Sequence, residues 1–264
     1  AIEPRSGAWR EPELGTGPIS FRDSTSPEFY ELEREAVFKR AWLNVARVEE
    51  LPSVGSYVTK EIEAARASVM IVKGADQRIR AFYNLCRHRG NKLVWADYPG
   101  DEVSGTCRQF TCKYHAWRYA LNGDLTFVQQ EGEFFDLDKG DYGLVSVRCE
   151  LWEGFIFINF DDDAAPLLEC IKPSTERLDP RAVDKLKVEW WYSAILPTNW
   201  KTAMEAFMEG YHVMRTHPQL HELSLPGTDR YAPPATEGAG PVRGPMSVKD
   251  LVDLSIRNLT VLRE

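Results

Sequence analysis

The sequence predicts an α+β fold: an all-β domain over residues 42–160, preceded by an arm and helix (1–41) and followed by a mixed α/β region (161–264). Three features carry this reading. From Trp42 to Phe160, short runs rich in β-branched and aromatic residues alternate with turn signals. An acidic stretch, Asp161 to Pro166, and then Pro173 and Pro180 interrupt that pattern near residue 160. Beyond the break, Asn199–Pro218 (NWKTAMEAFMEGYHVMRTHP) switches to helical spacing and gathers carboxylates and imidazoles into one short stretch.

Taken in order, residues 1 to about 27 are rich in Pro, Gly, Ser and acids without periodicity and read as an arm. Ser26–Trp42 has a Ser-Pro start, early acids and apolar residues at helical spacing, which predicts a helix. Strands are expected at Tyr57–Ile62, Ser68–Val72, Ile79–Tyr83, Leu144–Leu151 and Phe155–Phe160. Leu121-Asn122-Gly123-Asp124, between Tyr119-Ala120 and Leu125–Val128, predicts a hairpin, because Asn-Gly tolerates the positive φ of tight turns. Lys187–Ile195 is a strand candidate, and Asn199–Pro218 a helix. Residues 224–246 read as a long Pro/Gly loop, and Ser247 as the cap of a last amphipathic helix, Val248 to about Leu262.

Composition excludes several function classes. A net charge of −8, from 40 acids against 32 bases spread without long runs, argues against a nucleic-acid partner. The first thirty residues hold no apolar signal region and no later run approaches a membrane span, so a cytoplasmic protein without membrane contact is expected. Five cysteines are too few and too odd for a disulfide framework and suggest metal ligation plus leftover thiols.

The metal chemistry is written in two places. Cys86-Arg87-His88-Arg89-Gly90-Asn91 and Cys112-Lys113-Tyr114-His115-Ala116-Trp117 each offer one sulfur and one nitrogen. Such a set holds a tetrahedral zinc, or a [2Fe-2S] cluster with two Cys on one iron and two His on the other. One sulfur and one nitrogen per loop suits the cluster; a zinc finger puts both cysteines on a hairpin and both histidines on a helix. Cys107, which has no His partner at the same spacing, is set aside with Cys149 and Cys170. In the second place, Glu205, Glu209 and His212 fall at i, i+4 and i+7, on one face of a continuous helix. His217 lies off that stripe, so both rings reach one point only if the helix loosens or ends between them, and Pro218 favours an ending. Two histidines and a carboxylate make a non-haem Fe(II) site with positions left open.

CRHRGN followed by CKYHAW, then NWK, E-x-F-x-E-x-Y-H and T-H-P, resembles the α (oxygenase) subunit of Rieske non-haem iron oxygenases of the aromatic-ring-hydroxylating type, in consistent order over about residues 26–218. The resemblance implies a Rieske domain followed by a helix-grip catalytic domain. It puts Cys86 and Cys112 on one cluster iron, His88 and His115 on the other, and Trp117 over the cluster. His212 and His217 would bind mononuclear Fe(II), with Glu205 in support. Glu209 matches the family's acidic bridge between this helix and the cluster histidine of a neighbouring subunit; direct ligation of the iron by Glu209 is the alternative.

The activity implied is a terminal oxygenase with O2 as co-substrate. It would take electrons from a reductase or ferredoxin, work as a homotrimer, with or without a β subunit, and hydroxylate or demethylate a small apolar, aromatic substrate. Ala206, Phe207, Met208 and Val213 are the expected pocket walls. The competing reading is a Rieske-type electron-transfer protein without oxygenase activity. Three departures stand out: Ala206 replaces the Asn of many relatives, the loop between the cluster motifs (WADYPGDEVSGTCRQF) is extended, and the family's third iron ligand, an acid far toward the C-terminus, is expected beyond Glu264.

Overall fold

The computed structural model describes residues 18–98, 101–189, 194–210 and 212–217. Two compact units emerge: Ser26–Tyr192, and Ala1–Thr25 together with Ser193–Glu264. After the short helix α1 (Arg22–Thr25), helix α2 (Pro27–Glu33) starts the first unit as expected, with Ser26 as N-cap accepting from the Phe29 N–H at 3.1 Å. The helix is shorter than the expected Ser26–Trp42. It widens into a π turn at Arg34–Phe38, where the buried Arg34 donates to the carbonyls of Glu63 and Ala64 at 2.8 and 3.0 Å.

The unit is built on antiparallel strands: β1 (Leu43–Arg47), β2 (Ser56–Ile62), β3 (Ala67–Lys73), β4 (Ile79–Tyr83), β5 (Ser104–Thr106), β6 (Phe110–Thr111), β7 (Arg118–Tyr119), β8 (Leu125–Phe127), β9 (Ser146–Trp152) and β10 (Phe155–Asn159). Seven form one sheet in the order β1-β10-β9-β4-β3-β2-β5, and β6-β7-β8 form a small second sheet. Strand β3 explains the layering. Its Val69 and Ile71 enter one core with Val58, Ala81, Val147, Ile156 and Ile158, while Met70 and Val72 enter another with Phe82, Phe110, Trp117 and Tyr119. Burial on both faces is why this strand reads as an unbroken apolar run. At roughly 1.5–3 kcal/mol per fully buried large side chain, the second core fixes the small sheet, and hence its loops, onto the large one.

The hairpin between β7 and β8 forms as the sequence predicts, closed by Ala120 N–H to Asp124 O at 2.9 Å. Gly123, at φ +95°, is required twice over: a Cβ there would also lie 2.6 Å from the Phe82 ring. The extended loop between the cluster motifs supplies β5, which pairs with the edge of β2 (Ser56 with Thr106, Val58 with Ser104). After β10, helix α3 (Leu167–Leu178) packs on the same unit, tied by Glu150 accepting from Leu167 N–H at 2.9 Å.

Two expected elements are corrected. Lys187–Glu189 and Ala194–Ile195 are not strand, and Trp190–Ser193 lie outside the described residues. A strand needs a neighbour for its ladder, and the described residues provide Val188 N–H only the Glu49 carboxylate, at 3.1 Å. The single helix over Asn199–Pro218 is instead two short ones, α4 (Trp200–Glu205), capped by Asn199, and α5 (Val213–Thr216). Gly210 weakens the helix between them, and the Glu209 carboxylate takes the His212 N–H at 3.1 Å, restarting the chain as a new turn. The loop at 224–246 and the Val248–Leu262 helix lie outside the described residues. No helix of the described residues is long and apolar enough to cross a membrane.

Candidate metal centres

The two Cys/His loops fold alike, although their sequences share little. In the first, Cys86 N–H donates to Asn91 O (2.8 Å) and Gly90 N–H to Cys86 O (2.9 Å); in the second, Cys112 N–H donates to Trp117 O (2.8 Å) and Ala116 N–H to Cys112 O (3.0 Å). Both loops turn through a left-handed residue four after the cysteine, Gly90 at φ +69° and Ala116 at φ +57°. Alanine in that conformation carries about 1–2 kcal/mol of strain. Ala116→Gly removes the strain and adds less than about 1 kcal/mol of unfolded-state entropy, so a thermal scan of that variant is expected to show a midpoint higher by roughly 2 °C.

The fold brings all four expected cluster residues together. Cys86 and Cys112 are buried at 3% and 2% exposure, in the same core cluster. The His88 and His115 rings pack edge to face with centroids 4.7 Å apart, and Trp117 stacks on His88 at 4.8 Å. Burial, then the neighbouring His115 and Arg89, hold His88 below the usual histidine range, so its ring stays neutral with a lone pair to offer. Burial pushes the Cys86 thiol up, opposed by the Tyr119 hydroxyl.

These residues fit a two-iron cluster on one further count. The Nδ1 atom of His115 is buried with no hydrogen-bond partner, a cost of about 1–3 kcal/mol that a metal bond would remove. Among the described residues no three of His, Cys, Asp and Glu converge on one point. Among the thiols set aside, burial pushes Cys107 up to about 11 and Cys149 up to about 12; both stay protonated at neutral pH.

Two supporting residues escaped the sequence reading. Tyr119, fully buried, places its hydroxyl 3.2 Å from Cys86 Sγ and accepts the Arg87 N–H at 3.0 Å. Asn84, also fully buried, donates to Ser68 Oγ (3.1 Å) and Val94 O (2.6 Å) and accepts from the N–H groups of Leu93 (3.2 Å) and Val94 (3.0 Å). It thereby fastens the return of the first loop to the end of β4. A Tyr on β7 and an Asn just past the end of β4 carry no such signal in sequence.

In the second unit the helix break sets the geometry. The His212 and His217 rings lie edge to face with centroids 5.5 Å apart, because His217 leaves α5 in a non-helical conformation (φ −125°, ψ 57°). Glu209 Oε1 pairs with His212 Nδ1, while Oε2 takes the His212 N–H. A carboxylate only accepts, so the proton sits on Nδ1 and the Nε2 lone pair is left for a metal. Glu205 closes α4 with an exposed side chain, and the break takes it off any common helix face with His212. Ala206, Phe207 and Met208 are exposed and Val213 half-buried in the described residues.

Comparison with known proteins matches the regions that hold both centres. Residues 41–142 match the Rieske [2Fe-2S] domain family, and residues 182–257 the catalytic domain of the ring hydroxylating alpha subunit. The carnitine monooxygenase oxygenase subunit of Escherichia coli (strain K12) is 34% identical over 216 residues, 81% of this chain and 55% of that protein. The biphenyl 2,3-dioxygenase subunit alpha of Rhodococcus jostii (strain RHA1) is 31% identical over 258 residues, 90% of this chain and 53% of that protein. The crystal structure of a quaternary ammonium Rieske monooxygenase in complex with L-carnitine aligns with a TM-score of 0.70 at 30% identity, over 78% of this chain and 56% of that one. The chain thus spans about half the length of the curated relatives it matches. The cofactors that go with this pair of domains are a Rieske [2Fe-2S] cluster and a mononuclear iron. Paired Cys/His loops on a β unit, a downstream histidine pair backed by a carboxylate, and these matches lead to one conclusion: the chain belongs to the α (oxygenase) subunits of the Rieske non-haem iron oxygenases.

Proposed function

We propose that this chain carries the electron-entry site and two of the iron ligands of a terminal oxygenase, with the Rieske domain at 42–160 and the catalytic domain from 161. Cys86, Cys112, His88 and His115 hold the cluster; His212 and His217 hold the mononuclear iron. When bound, the cluster relays single electrons from a reductase or ferredoxin, and the mononuclear iron supplies O2 activation. The observation that carries the reading is the His212–His217 pair with Glu209 on Nδ1, since a protein that only transfers electrons has no use for it. Iron analysis after anaerobic preparation tests this: three irons per chain are expected, and two with full cluster absorbance would leave the electron-transfer reading standing.

Glu209 spends one oxygen on His212 Nδ1 and the other on the His212 N–H, which favours the bridge role over direct ligation. As a bridge it holds the Nδ1 proton and faces a cluster histidine of the next subunit in a homotrimer, with or without a β subunit. Glu205 is a supporting carboxylate at the α4 terminus. For the substrate, the quaternary ammonium class now stands ahead of the apolar aromatic one, because the relative at 34% identity is named for carnitine and the one at 31% for biphenyl. Phe207 as a pocket wall, beside Ala206, Met208 and Val213, serves either class, through a cation–π contact or ring stacking. Product analysis with L-carnitine and with biphenyl, each with a reductase and NADH, separates the two; hydroxylated biphenyl without carnitine turnover restores the aromatic substrate.

The Tyr119 hydroxyl is committed by its neighbours. Its oxygen accepts from Arg87 N–H, which leaves its own proton for Cys86 Sγ. A hydrogen bond to a cluster sulfur strengthens when reduction adds negative charge, and so raises the potential. Tyr119→Phe is expected to lower the cluster's reduction potential by about 60 mV, a tenfold weaker one-electron equilibrium, in a spectroelectrochemical titration.

A further inference from the structure

Tyr119 follows the second loop and serves the sulfur of the first. The converse arrangement is also present. Asn91 ends the first loop, and its side-chain amide lies 3.9 Å from Cys112 Sγ, the sulfur of the second. The same amide donates to the Lys92 carbonyl at 2.7 Å. An amide nitrogen has two hydrogens, so one serves Lys92 O and the other is free for the sulfur. The opposite rotamer would set the Asn91 oxygen against a carbonyl and a thiolate, both acceptors, which fixes the orientation. The backbone of Asn91 is fixed as well, since its carbonyl takes the Cys86 N–H at 2.8 Å. The two loops therefore exchange side-chain donors, Tyr119 to Cys86 and Asn91 to Cys112.

We propose that Asn91 is a positioning residue for the cluster, donating through its side-chain amide to Cys112 Sγ and raising the reduction potential at which the cluster accepts an electron. This rests on the proposed role of Cys112 as a cluster ligand. Reduction adds one negative charge shared with the sulfurs, and a donor held against Sγ stabilises that charge more than it stabilises the oxidised form. Removing the donor weakens reduction; replacing it by an anion weakens it further. A residue that only shapes the loop would not order the potential by the charge of its side chain.

The test is a titration with dithionite and redox mediators, followed by the cluster's visible absorbance, on the full chain and on Asn91→Leu and Asn91→Asp. The expected order of potentials is wild type above Leu above Asp. The Leu variant should show at least a threefold weaker one-electron reduction equilibrium, a shift of about 28 mV, with the Rieske absorbance and electron paramagnetic resonance of the wild type. Potentials within that margin of wild type in both variants, with intact spectra, overturn the proposal. Loss of the cluster in both variants, with Tyr119→Phe retaining it, overturns it too, because Asn91 is then a residue of the loop's fold. A wild-type chain with no Rieske spectrum is a different failure, that of Cys112 as a ligand.

Discussion

Glu209→Gln is expected to leave iron in both centres while product formation falls by roughly a hundredfold. The substitution keeps the shape of the side chain but turns one of its two acceptor positions into a donor. Glu209 now accepts from His212 at both oxygens, at the ring Nδ1 and at the main-chain N–H. Glutamine can satisfy only one of these, and it loses the charge that favours a proton on Nδ1. The lost charge-assisted hydrogen bond corresponds to about 1.5–3 kcal/mol, and at 1.36 kcal/mol per decade that is one to two powers of ten. The Nε2 lone pair of His212 is untouched, so iron content, measured by metal analysis, should hold. Loss of the mononuclear iron in this variant would instead favour Glu209 as a direct ligand.

Asn84→Ala is expected to destabilise the first unit by about 3–5 kcal/mol and to release the cluster on mild urea treatment. Four hydrogen bonds of the side chain vanish together, to Ser68 Oγ, Val94 O and the Leu93 and Val94 N–H groups. Leu93 is buried, so its orphaned N–H has no water to turn to, at about 1–3 kcal/mol for such a group. Set against a total stability of about 5–15 kcal/mol, that is a large fraction. The measurement is a denaturant curve followed both by fluorescence and by cluster absorbance. A midpoint unchanged from wild type would show that Asn84 is dispensable to the loop.

Which parts of this molecule were legible beforehand follows from how local each signal is. The strand at Ile79–Tyr83 is present end to end, and β2, β3 and β10 lie within a residue of expectation, because alternation and turn residues act over a few positions. Strand β1 (Leu43–Arg47) was not read: it is set by pairing with β10, Leu43 opposite Ile158, far away in the chain. Strand β6 (Phe110–Thr111) is likewise set by its pairing, with β7. The two Cys/His loops were legible because residue type and spacing within one loop carry them. The shape of Asn199–Pro218 was not, since a helix period says nothing about a carboxylate that captures the N–H three residues ahead. Asn84, Asn91 and Tyr119 are ordinary residues at ordinary positions, and only the packing of one loop against the other gives them a part to play.

The extended stretch between the cluster motifs has a consequence for how the molecule keeps to itself. Its strand β5 covers Ser56–Val58 of β2, and Thr59 continues the seam by donating to Val103 O and accepting the Val103 N–H, both at 2.8 Å. The uncovered remainder of β2 carries Lys60, paired with Glu50 and Glu102, a charged group of the kind that discourages strand addition. Shortening this loop to bare connecting length would strip the edge beside Val58 and offer its unpaired backbone to a second molecule. In a chain whose neighbouring strand β3 is an unbroken run of Val69, Met70, Ile71 and Val72, this stretch acts as a built-in guard against aggregation.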